Sequence, residues 1–241
     1  MECQKLYVML EKLKEEVFKA NLELVNAGLV IHTWGNASGR DPKSGSIVIK
    51  PSGVSYDSMK PDDMVVLDVE GNVIEGRYNP STDAPTHLLL YKKWPSAGGI
   101  VHTHSTFATS WAQAGRAIPA FGTTHADHFY GEIPVTRKLK SGEIDSDYEI
   151  NTGKVIIATF GKSDPMLIPS VLVYNHGPFS WGTNVQNAVR NAVALEEIAR
   201  MAYYTVQLGK DDPVGGTLLD KHFNRKHGIG AYYGQNKKKH K

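Results

Sequence analysis

Hydrophobic positions in the first 28 residues recur every three or four residues. Lysine and glutamate fill most of the positions between them, and Gly28 follows the last apolar position. Apolar residues at this spacing share one face of an α-helix, and glycine is common just after a helix end. The pattern predicts an amphipathic surface helix whose apolar face carries Leu6, Leu10, Leu13, Val17, Ala20 and Leu24.

Four later segments also have patterns that predict helices. Thr82 precedes one of them as an N-cap and Pro95 follows it as a stop, whereas Asn184 caps the longest. The predicted helices cover residues 82–94, 105–114, 185–208 and 217–227.

Short apolar runs bounded by glycine, proline or asparagine predict strands between these helices. Residues 64–69 and 73–74 flank Glu70-Gly71-Asn72, which is typical of a β-hairpin. Strands mixed with helices indicate an α/β protein, and the hairpin argues against a purely parallel sheet. We expect one domain over residues 1–235. The other predicted strands cover residues 29–34, 46–50, 99–101, 154–160 and 170–174.

The net charge of +2 on the 241 residues belongs to the C-terminus. Four of the 27 lysine and arginine residues lie in the last five positions, so residues 1–236 carry 23 basic and 25 acidic groups, a net charge of −2. A body without excess positive charge disfavours nucleic-acid binding. Residues 236–241 are predicted to form a basic, disordered tail.

The composition also argues against a secreted or membrane protein. The chain has one cysteine, its first residues lack a signal-peptide pattern, and prolines and glycines interrupt the uncharged stretch 165–189. These features favour a cytoplasmic protein without a membrane partner. Ten histidines then stand out as the feature that needs an explanation.

Two of these histidines form a pair at the end of a predicted strand. His102 and His104 are two residues apart, so their side chains point to the same side of the strand. His176 ends another apolar run. Three neutral imidazoles with an open position suit a catalytic divalent metal ion. The alternative is a set of partly buried, hydrogen-bonded histidines, because sequence spacing does not show that the three meet.

Three turns of small residues could hold a phosphate group. Gly35-Asn36-Ala37-Ser38, Pro51-Ser52-Gly53 and Pro80-Ser81-Thr82-Asp83 each offer backbone N–H groups with hydroxyls or an amide. None matches a nucleotide-binding fingerprint, so nucleotide binding has no support. Each of them could also be an ordinary turn.

Two polar segments near the ends of predicted elements carry further reactive groups. Residues 122–131 contain Asp127, a candidate general acid or base, and residues 228–235 contain Tyr232 and Tyr233, and a tyrosine can be a proton donor. A hydrogen-bonded loop and a docked terminus are the alternative interpretations.

Taken together, the motifs resemble the class II aldolase and epimerase family over almost the whole chain. So many separated matches are more specific than any one of them. The motifs include Thr33-Trp34-Gly35-Asn36, Ile49-Lys50-Pro51-Ser52-Gly53, Pro85-Thr86-His87, His102-Thr103-His104, Thr123-Thr124-His125-Ala126-Asp127, His176-Gly177-Pro178, Asp220-Lys221-His222 and Tyr232-Tyr233-Gly234-Gln235.

The resemblance implies a three-layer α/β/α fold with a mainly antiparallel central sheet, assembled as a homotetramer with sites at subunit interfaces. It implies one divalent metal ion per subunit, Zn²⁺ or otherwise Mn²⁺ or Co²⁺. The metal ligands that the family pattern assigns are Asp83, His102, His104 and His176.

The resemblance also implies roles for residues around the metal. Asp127 and Tyr233 match the family's acid–base pair, with His222 and Thr123 in support. The residues that match the family's substrate-phosphate site are Gly35, Asn36, Lys50, Ser52, Gly53, Ser81 and Thr82.

The implied activity is the interconversion of L-ribulose 5-phosphate and D-xylulose 5-phosphate in pentose catabolism, such as that of L-arabinose. The family's aldolases usually carry glutamate where this chain has Asp83, which favours epimerisation. A class II sugar-phosphate aldolase and a metal-dependent hydrolase are the enzymatic alternatives. A non-enzymatic assembly domain is a further alternative, against which the retained histidines argue.

Overall fold

A seven-stranded sheet forms the centre of the molecule, and its six strand pairs are all antiparallel. The computed structural model describes residues 2–234, with side chains from Met9 onward, so the predicted tail at residues 236–241 lies outside the described residues. The strands are β1 Gly35–Arg40, β2 Ile47–Ile49, β3 Val65–Leu67, β4 Val73–Glu75, β5 Gly99–Thr103, β6 Ser170–Leu172 and β7 Pro178–Gly182. Their order across the sheet is β4-β3-β2-β1-β5-β7-β6.

Eight α-helices and one 3₁₀-helix, Pro61–Asp63, are present in the described residues. None of these helices is both long and apolar enough to cross a membrane. The α-helices are α1 Glu2–Asn26, α2 Ala84–Lys93, α3 Thr106–Ala114, α4 Thr123–Ala126, α5 Ser141–Ile144, α6 Tyr148–Phe160, α7 Val185–Gln207 and α8 Gly216–His227.

Helices cover both faces of the sheet. Helices α1 and α7 pack on one face, where Val101 of β5 is buried. Helices α2 and α6 pack on the other, where Ile100 is buried. Successive residues of a strand point to opposite faces, so β5 contributes to both cores. The three-layer α/β/α architecture with an antiparallel sheet is confirmed.

Most of the predicted elements are present. The hairpin forms between β3 and β4, and the predicted strands at 46–50, 99–101 and 170–174 correspond to β2, β5 and β6. The four later helices are also confirmed. Asn184 caps α7 as predicted, because its side-chain oxygen accepts a hydrogen bond of 2.8 Å from the backbone N–H of Asn187.

The expected strand at 29–34 is wrong, and the strand lies at the adjoining segment, Gly35–Arg40, whose first residues were expected to form a turn. This strand, β1, consists of small and polar residues. A Cβ atom at Gly39 would lie 2.9 Å from Leu13 Cδ1, so α1 leaves no room for a larger side chain. Close helix packing therefore removes the hydrophobic alternation by which a strand is recognised.

Two further expectations are wrong near α6 and α2. Residues 154–160 belong to α6, because a short run of β-branched residues fits a buried helix face as well as a strand. The N-cap of α2 is Asp83 and not Thr82, and Asp83 makes no side-chain capping bond. Its carboxylate instead accepts a hydrogen bond from Asn36 of β1, 2.7 Å away.

A buried asparagine connects α1 to the polar strand β1. Asn21 is fully buried, and its side-chain oxygen accepts a 2.9 Å hydrogen bond from the Ala37 backbone N–H. Its amide nitrogen donates to the Ala37 carbonyl oxygen at 3.2 Å. Ladder pairing between β1 and β2 starts only at Ser38, so Asn21 takes the place of a neighbouring strand at Ala37.

Replacing Asn21 tests this contact. We expect Asn21→Ala to lower the free energy of unfolding by about 2–3 kcal/mol, because both backbone groups of Ala37 lose their buried partner. Asn26→Ala, on the exposed side of the same helix, is the matched control and should change stability by less than about 0.5 kcal/mol. Urea denaturation measures both variants, and equal small effects would contradict the role given to Asn21.

Candidate metal and sugar-phosphate site

Strand β5 and the turn before β7 bring three imidazoles together. His102, His104 and His176 each offer a ring nitrogen, and these nitrogens lie within 4.8 Å of one another. The Nε2 atoms of His102 and His104 are 3.1 Å apart. Two ligands of one tetrahedral metal ion, with metal–nitrogen distances near 2.0–2.1 Å, are separated by ~3.3 Å. The predicted histidine cluster therefore exists and has the dimensions of a metal site.

Neighbouring groups orient two of the three imidazoles. The Nδ1 atom of His102 lies 3.0 Å from the carbonyl oxygen of Pro178, which can only accept. Nδ1 must therefore carry the proton, and Nε2 is left with its lone pair. The Nδ1 atom of His176 lies 3.3 Å from the hydroxyl of Tyr148. Phe179 stacks on the His102 ring at 4.2 Å, so this ligand is also fixed by packing.

The surroundings favour neutral imidazoles, which is the form that binds metal. Burial, together with His102 and His104, lowers the pKa of His176 to about 3. Burial also lowers the pKa of His104, with a further contribution from His102. Metal binding at neutral pH therefore does not require these two side chains to release a proton.

Asp83 is a carboxylate beside the three histidines. Burial alone raises its pKa, but the adjacent imidazoles and the Asn36 amide more than offset this effect, so the pKa lies below the ordinary value. Its Oδ2 atom accepts the hydrogen bond from Asn36. Three imidazoles with one carboxylate form a donor set that suits a divalent transition-metal ion.

A cavity of about 610 Å³ opens in front of this cluster. Lys50 is among its lining residues although it is almost fully buried, and burial lowers its pKa to about 8. Its Nζ atom donates to the backbone carbonyl oxygens of Pro51 and Val54, and no carboxylate neutralises it among the described residues. The cavity contains all seven predicted phosphate-site residues: Gly35, Asn36, Lys50, Ser52, Gly53, Ser81 and Thr82.

The other predicted site residues form a second cluster around Asp127, at the end of α4. Arg225 of α8 donates to both of its carboxylate oxygens, at 2.9 and 2.5 Å, and His222 Nδ1 lies 3.1 Å from one of them. Burial raises the pKa of Asp127, but Arg225 and His222 reverse this effect and hold the pKa below its ordinary value. Asp127 is therefore ionised at neutral pH.

Tyr233 and Thr123 complete the second cluster. The Tyr233 ring lies 5.2 Å from the Arg225 guanidinium carbon and 4.5 Å from Lys226 Nζ, and its side chain is 62% exposed. Thr123 is one turn before Asp127, and its carbonyl oxygen accepts a 2.9 Å hydrogen bond from the Asp127 backbone N–H. None of the predicted residues of this cluster lines the cavity beside the three histidines.

Several residues of both clusters were not found from the sequence. Tyr148 and Glu149 line the cavity, but they precede a segment that was expected to be a strand. Arg225 and Lys226 surround Asp127, and nothing in their spacing pointed to it. His87 was quoted only within a motif. Its position one helical turn after Asp83 is a signal that could have placed it near the site.

The chain belongs to a known family. Residues 15–203 match the family described as "Class II Aldolase and Adducin N-terminal domain". This range includes every residue of the three-histidine cluster and its cavity, as well as Asp127.

Relatives of this chain extend the similarity beyond that range. The chain is 57% identical over 227 residues to "L-ribulose-5-phosphate 4-epimerase UlaF" of Salmonella paratyphi A and to the protein of the same name from Salmonella typhi, a match that covers 94% of this chain and 100% of each relative. Among solved structures it resembles an "L-fuculose 1-phosphate aldolase", with a TM-score of 0.75 and 27% identity over 88% of this chain and 94% of that one.

The three-histidine cluster can be tested by its metal content. We expect His102→Ala to reduce bound Zn²⁺ from about one ion per chain to below a tenth, because two imidazoles and one carboxylate form an incomplete site. His32→Ala removes an exposed histidine near the cavity rim and should leave the metal content unchanged. Atomic emission spectroscopy after dialysis measures both, and equal metal content in the two variants would contradict the assignment.

Proposed function

We propose that this protein is an L-ribulose-5-phosphate 4-epimerase, which interconverts L-ribulose 5-phosphate and D-xylulose 5-phosphate in pentose catabolism. The observation that carries the proposal is a cluster of three histidines and one carboxylate that opens onto a cavity lined by Lys50, a lysine that no carboxylate of the described residues neutralises. The 57% identity to relatives named for this activity supports the same substrate.

His102, His104 and His176 would hold the metal ion, with Asp83 as a fourth ligand or a close neighbour. Zn²⁺ fits a donor set of imidazoles and one carboxylate, and Mn²⁺ or Co²⁺ suits the same geometry. A divalent ion at this position supplies Lewis-acid stabilisation of negative charge on substrate oxygens.

The chemistry of the substrate requires cleavage of a carbon–carbon bond. The carbonyl group of L-ribulose 5-phosphate is at C2, so the proton on C4 is not acidic and cannot simply be removed. Loss of the O4 proton lets the C3–C4 bond break, which leaves the enediolate of dihydroxyacetone and glycolaldehyde phosphate. Rotation of the aldehyde and attack by C3 on its other face re-form the bond with inverted C4.

Two proton-transfer groups are needed at O4, one for each face of the aldehyde. Asp127 is ionised and can accept a proton, and the Tyr233 hydroxyl can donate one. Arg225 contacts both residues, with hydrogen bonds to Asp127 and a cation–π contact to Tyr233, and so holds them in one cluster. His222 would support Asp127 from the same helix.

The substrate phosphate would lie at the turns near Lys50. The predicted ligands are backbone N–H groups and side chains of Gly35, Asn36, Ser52 and Gly53, with Ser81 and Thr82 across the cavity. A buried ammonium group without a carboxylate partner is costly unless an anion binds near it, so Lys50 favours a phosphorylated ligand.

The acid–base cluster would reach the metal of a neighbouring subunit. Asp127 and Tyr233 do not line the cavity of their own chain, whereas the proposed reaction needs them at O4. A homotetramer in which each site combines the metal cluster of one subunit with the Asp127 cluster of the next satisfies both conditions.

The activity is tested by following products from L-ribulose 5-phosphate by NMR. We expect D-xylulose 5-phosphate to form without release of free fragments, and activity to be lost after chelation and restored by Zn²⁺ or Mn²⁺. Accumulation of dihydroxyacetone and glycolaldehyde phosphate would instead identify an aldolase. Hydrolysis of phosphate or acyl esters without carbon–carbon exchange would identify a hydrolase.

The shared site predicts complementation between inactive variants. Co-expressed His102→Ala and Asp127→Asn chains, purified through two different tags, should regain about one quarter of the wild-type activity, because that share of randomly paired sites is intact. Asp127→Asn with Tyr233→Phe is the matched control and should regain none, since both residues belong to one cluster. No recovery in the first mixture would contradict a site built from two subunits.

A further inference from the structure

A buried chain of hydrogen bonds lies directly beneath Asp83. The Tyr91 hydroxyl is 2.9 Å from Ser38 Oγ, and Ser38 Oγ is 2.7 Å from His87 Nδ1. All three side chains are at most 2% exposed. Strand β1 contributes Ser38, whereas α2 contributes His87 and Tyr91. These hydrogen bonds therefore join the strand that carries Asn36 to the helix that begins after Asp83.

Asn36 and Ser38 of β1 make two parallel contacts with the N-terminal end of α2. Asn36 and Ser38 are two residues apart and point to the same side of the strand. Asp83 and His87 are four residues apart and share one face of the helix end. Asn36 contacts Asp83 at 2.7 Å and Ser38 contacts His87 at 2.7 Å. His87 is therefore held one helical turn below the carboxylate.

The direction of the hydrogen bonds determines which nitrogen of His87 carries the proton. The backbone N–H of Ile100 can only donate to the Tyr91 hydroxyl, so among the described residues Ser38 Oγ is the acceptor for the Tyr91 hydroxyl proton. The Ser38 hydroxyl must then donate to His87 Nδ1, which leaves the proton on Nε2. The reverse direction would leave the Tyr91 hydroxyl proton unpaired in the core and aim a lone pair of His87 toward the Asp83 charge.

Two buried polar atoms near Asp83 have no hydrogen-bond partner within the described residues, namely His87 Nε2 and Asn36 Oδ1. The Asn36 amide nitrogen donates to Asp83, so the unpaired Oδ1 can only accept, whereas the unpaired Nε2–H can only donate. A single internal water molecule could accept from His87 and donate both to Asn36 and to the Asp83 carboxylate. Three polar partners are typical of a buried water.

We propose that His87 is a positioning residue for Asp83. The hydrogen bonds from Tyr91 to Ser38 and from Ser38 to His87 fix the imidazole as its Nε2–H form. This N–H, through the internal water, and the Asn36 amide, by its direct bond, together orient the carboxylate toward the three-histidine cluster. The inference rests on the proposed metal site, but the state of His87 is independent of the reaction. Hydrogen bonds of this kind behind metal ligands affect metal affinity by about 10- to 100-fold.

The first test is ¹⁵N NMR of the imidazoles in the metal-free protein. We expect His87 to carry its proton on Nε2, and Ser38→Ala to remove this preference. Ser180→Ala deletes a buried hydroxyl from the Ser170–Ser180 pair, which lies opposite Val101 on the α1 and α7 face of the sheet, and should leave the His87 signals unchanged. Asp83→Asn should shift the His87 Nε2–H signal whether or not the protein binds metal. A proton on Nδ1, or no response to Asp83→Asn, would overturn the proposal.

The second test is a double-mutant cycle on the Zn²⁺ dissociation constant, measured by competition with a chromogenic chelator. We expect His87→Leu to weaken Zn²⁺ binding by about 10-fold or more in the wild-type background and by less than about 2-fold in Asp83→Asn. His87→Gln keeps an N–H near the Nε2 position and should recover most of the affinity. Equal losses in both backgrounds would show a merely structural role and overturn the proposal.

These measurements separate the inference from the proposed function. If His87→Leu does not fold, as judged by circular dichroism, Ser38→Ala carries the same cycle. Coupling between His87 and Asp83 in a protein without epimerase activity would uphold the inference and reject the proposed reaction. Epimerase activity, together with losses of Zn²⁺ affinity that simply add for the His87 and Asp83 variants, would support the proposed reaction and overturn the inference.

Discussion

The pairing of β1 with β5 is the constraint on which the rest of the site depends. Asn36 lies opposite His102 in this register, and Ser38 lies opposite Ile100. A shift by one residue would turn Asn36 and Ser38 toward the α1 and α7 face and away from Asp83. Asn21 of α1 hydrogen-bonds to the backbone of Ala37, which lies between Asn36 and Ser38. This contact therefore helps to fix the position of β1, and with it the side chains that face Asp83.

Burial on the α2 and α6 side then gives the site its electrostatic character. Loss of hydration beside the cavity lowers the pKa of His176, of the more exposed His104 and of the buried Lys50, whereas the groups around Asp83 hold its pKa below the ordinary value. The site therefore contains a half-buried carboxylate, Asp83, and a buried lysine, Lys50, whose charges the described residues compensate only in part. A metal ion and an anionic ligand would together complete the compensation.

The sequence predicted those features that depend on local spacing or on an extended family pattern. The pair His102 and His104 follows from alternation along a strand, and Asn184 from the chemistry of helix caps. Strand β1 was not predictable from its pattern, because close packing against α1 selects glycine and alanine over the apolar residues typical of strands. The strand predicted at residues 154–160 was wrong for the opposite reason, because β-branched side chains fit a buried helix face as well as a strand.

Contacts between side chains that are far apart in the sequence could not be predicted from residue spacing. Nothing in the order of residues shows that Ser38 meets His87, or that Arg225 holds Asp127 from 98 positions away. These contacts arise only once the sheet register and the position of α8 are fixed. The family pattern assigned Asp127 and Tyr233 to one site, and the structure adds that both side chains contact Arg225.

The separation of the Asp127 cluster from the three-histidine cluster has an electrostatic explanation. Arg225 compensates Asp127 with two hydrogen bonds, so this carboxylate keeps its charge without a metal ion nearby. Were Asp127 placed in the same cavity of the same chain, its charge would compete with Asp83 for the ion. In the proposed tetramer, the Asp127 cluster of one subunit would instead approach a substrate held at the three histidines of another. The proposed inversion at C4 needs proton transfer on the two faces of an aldehyde, and a site assembled from two subunits would provide for it.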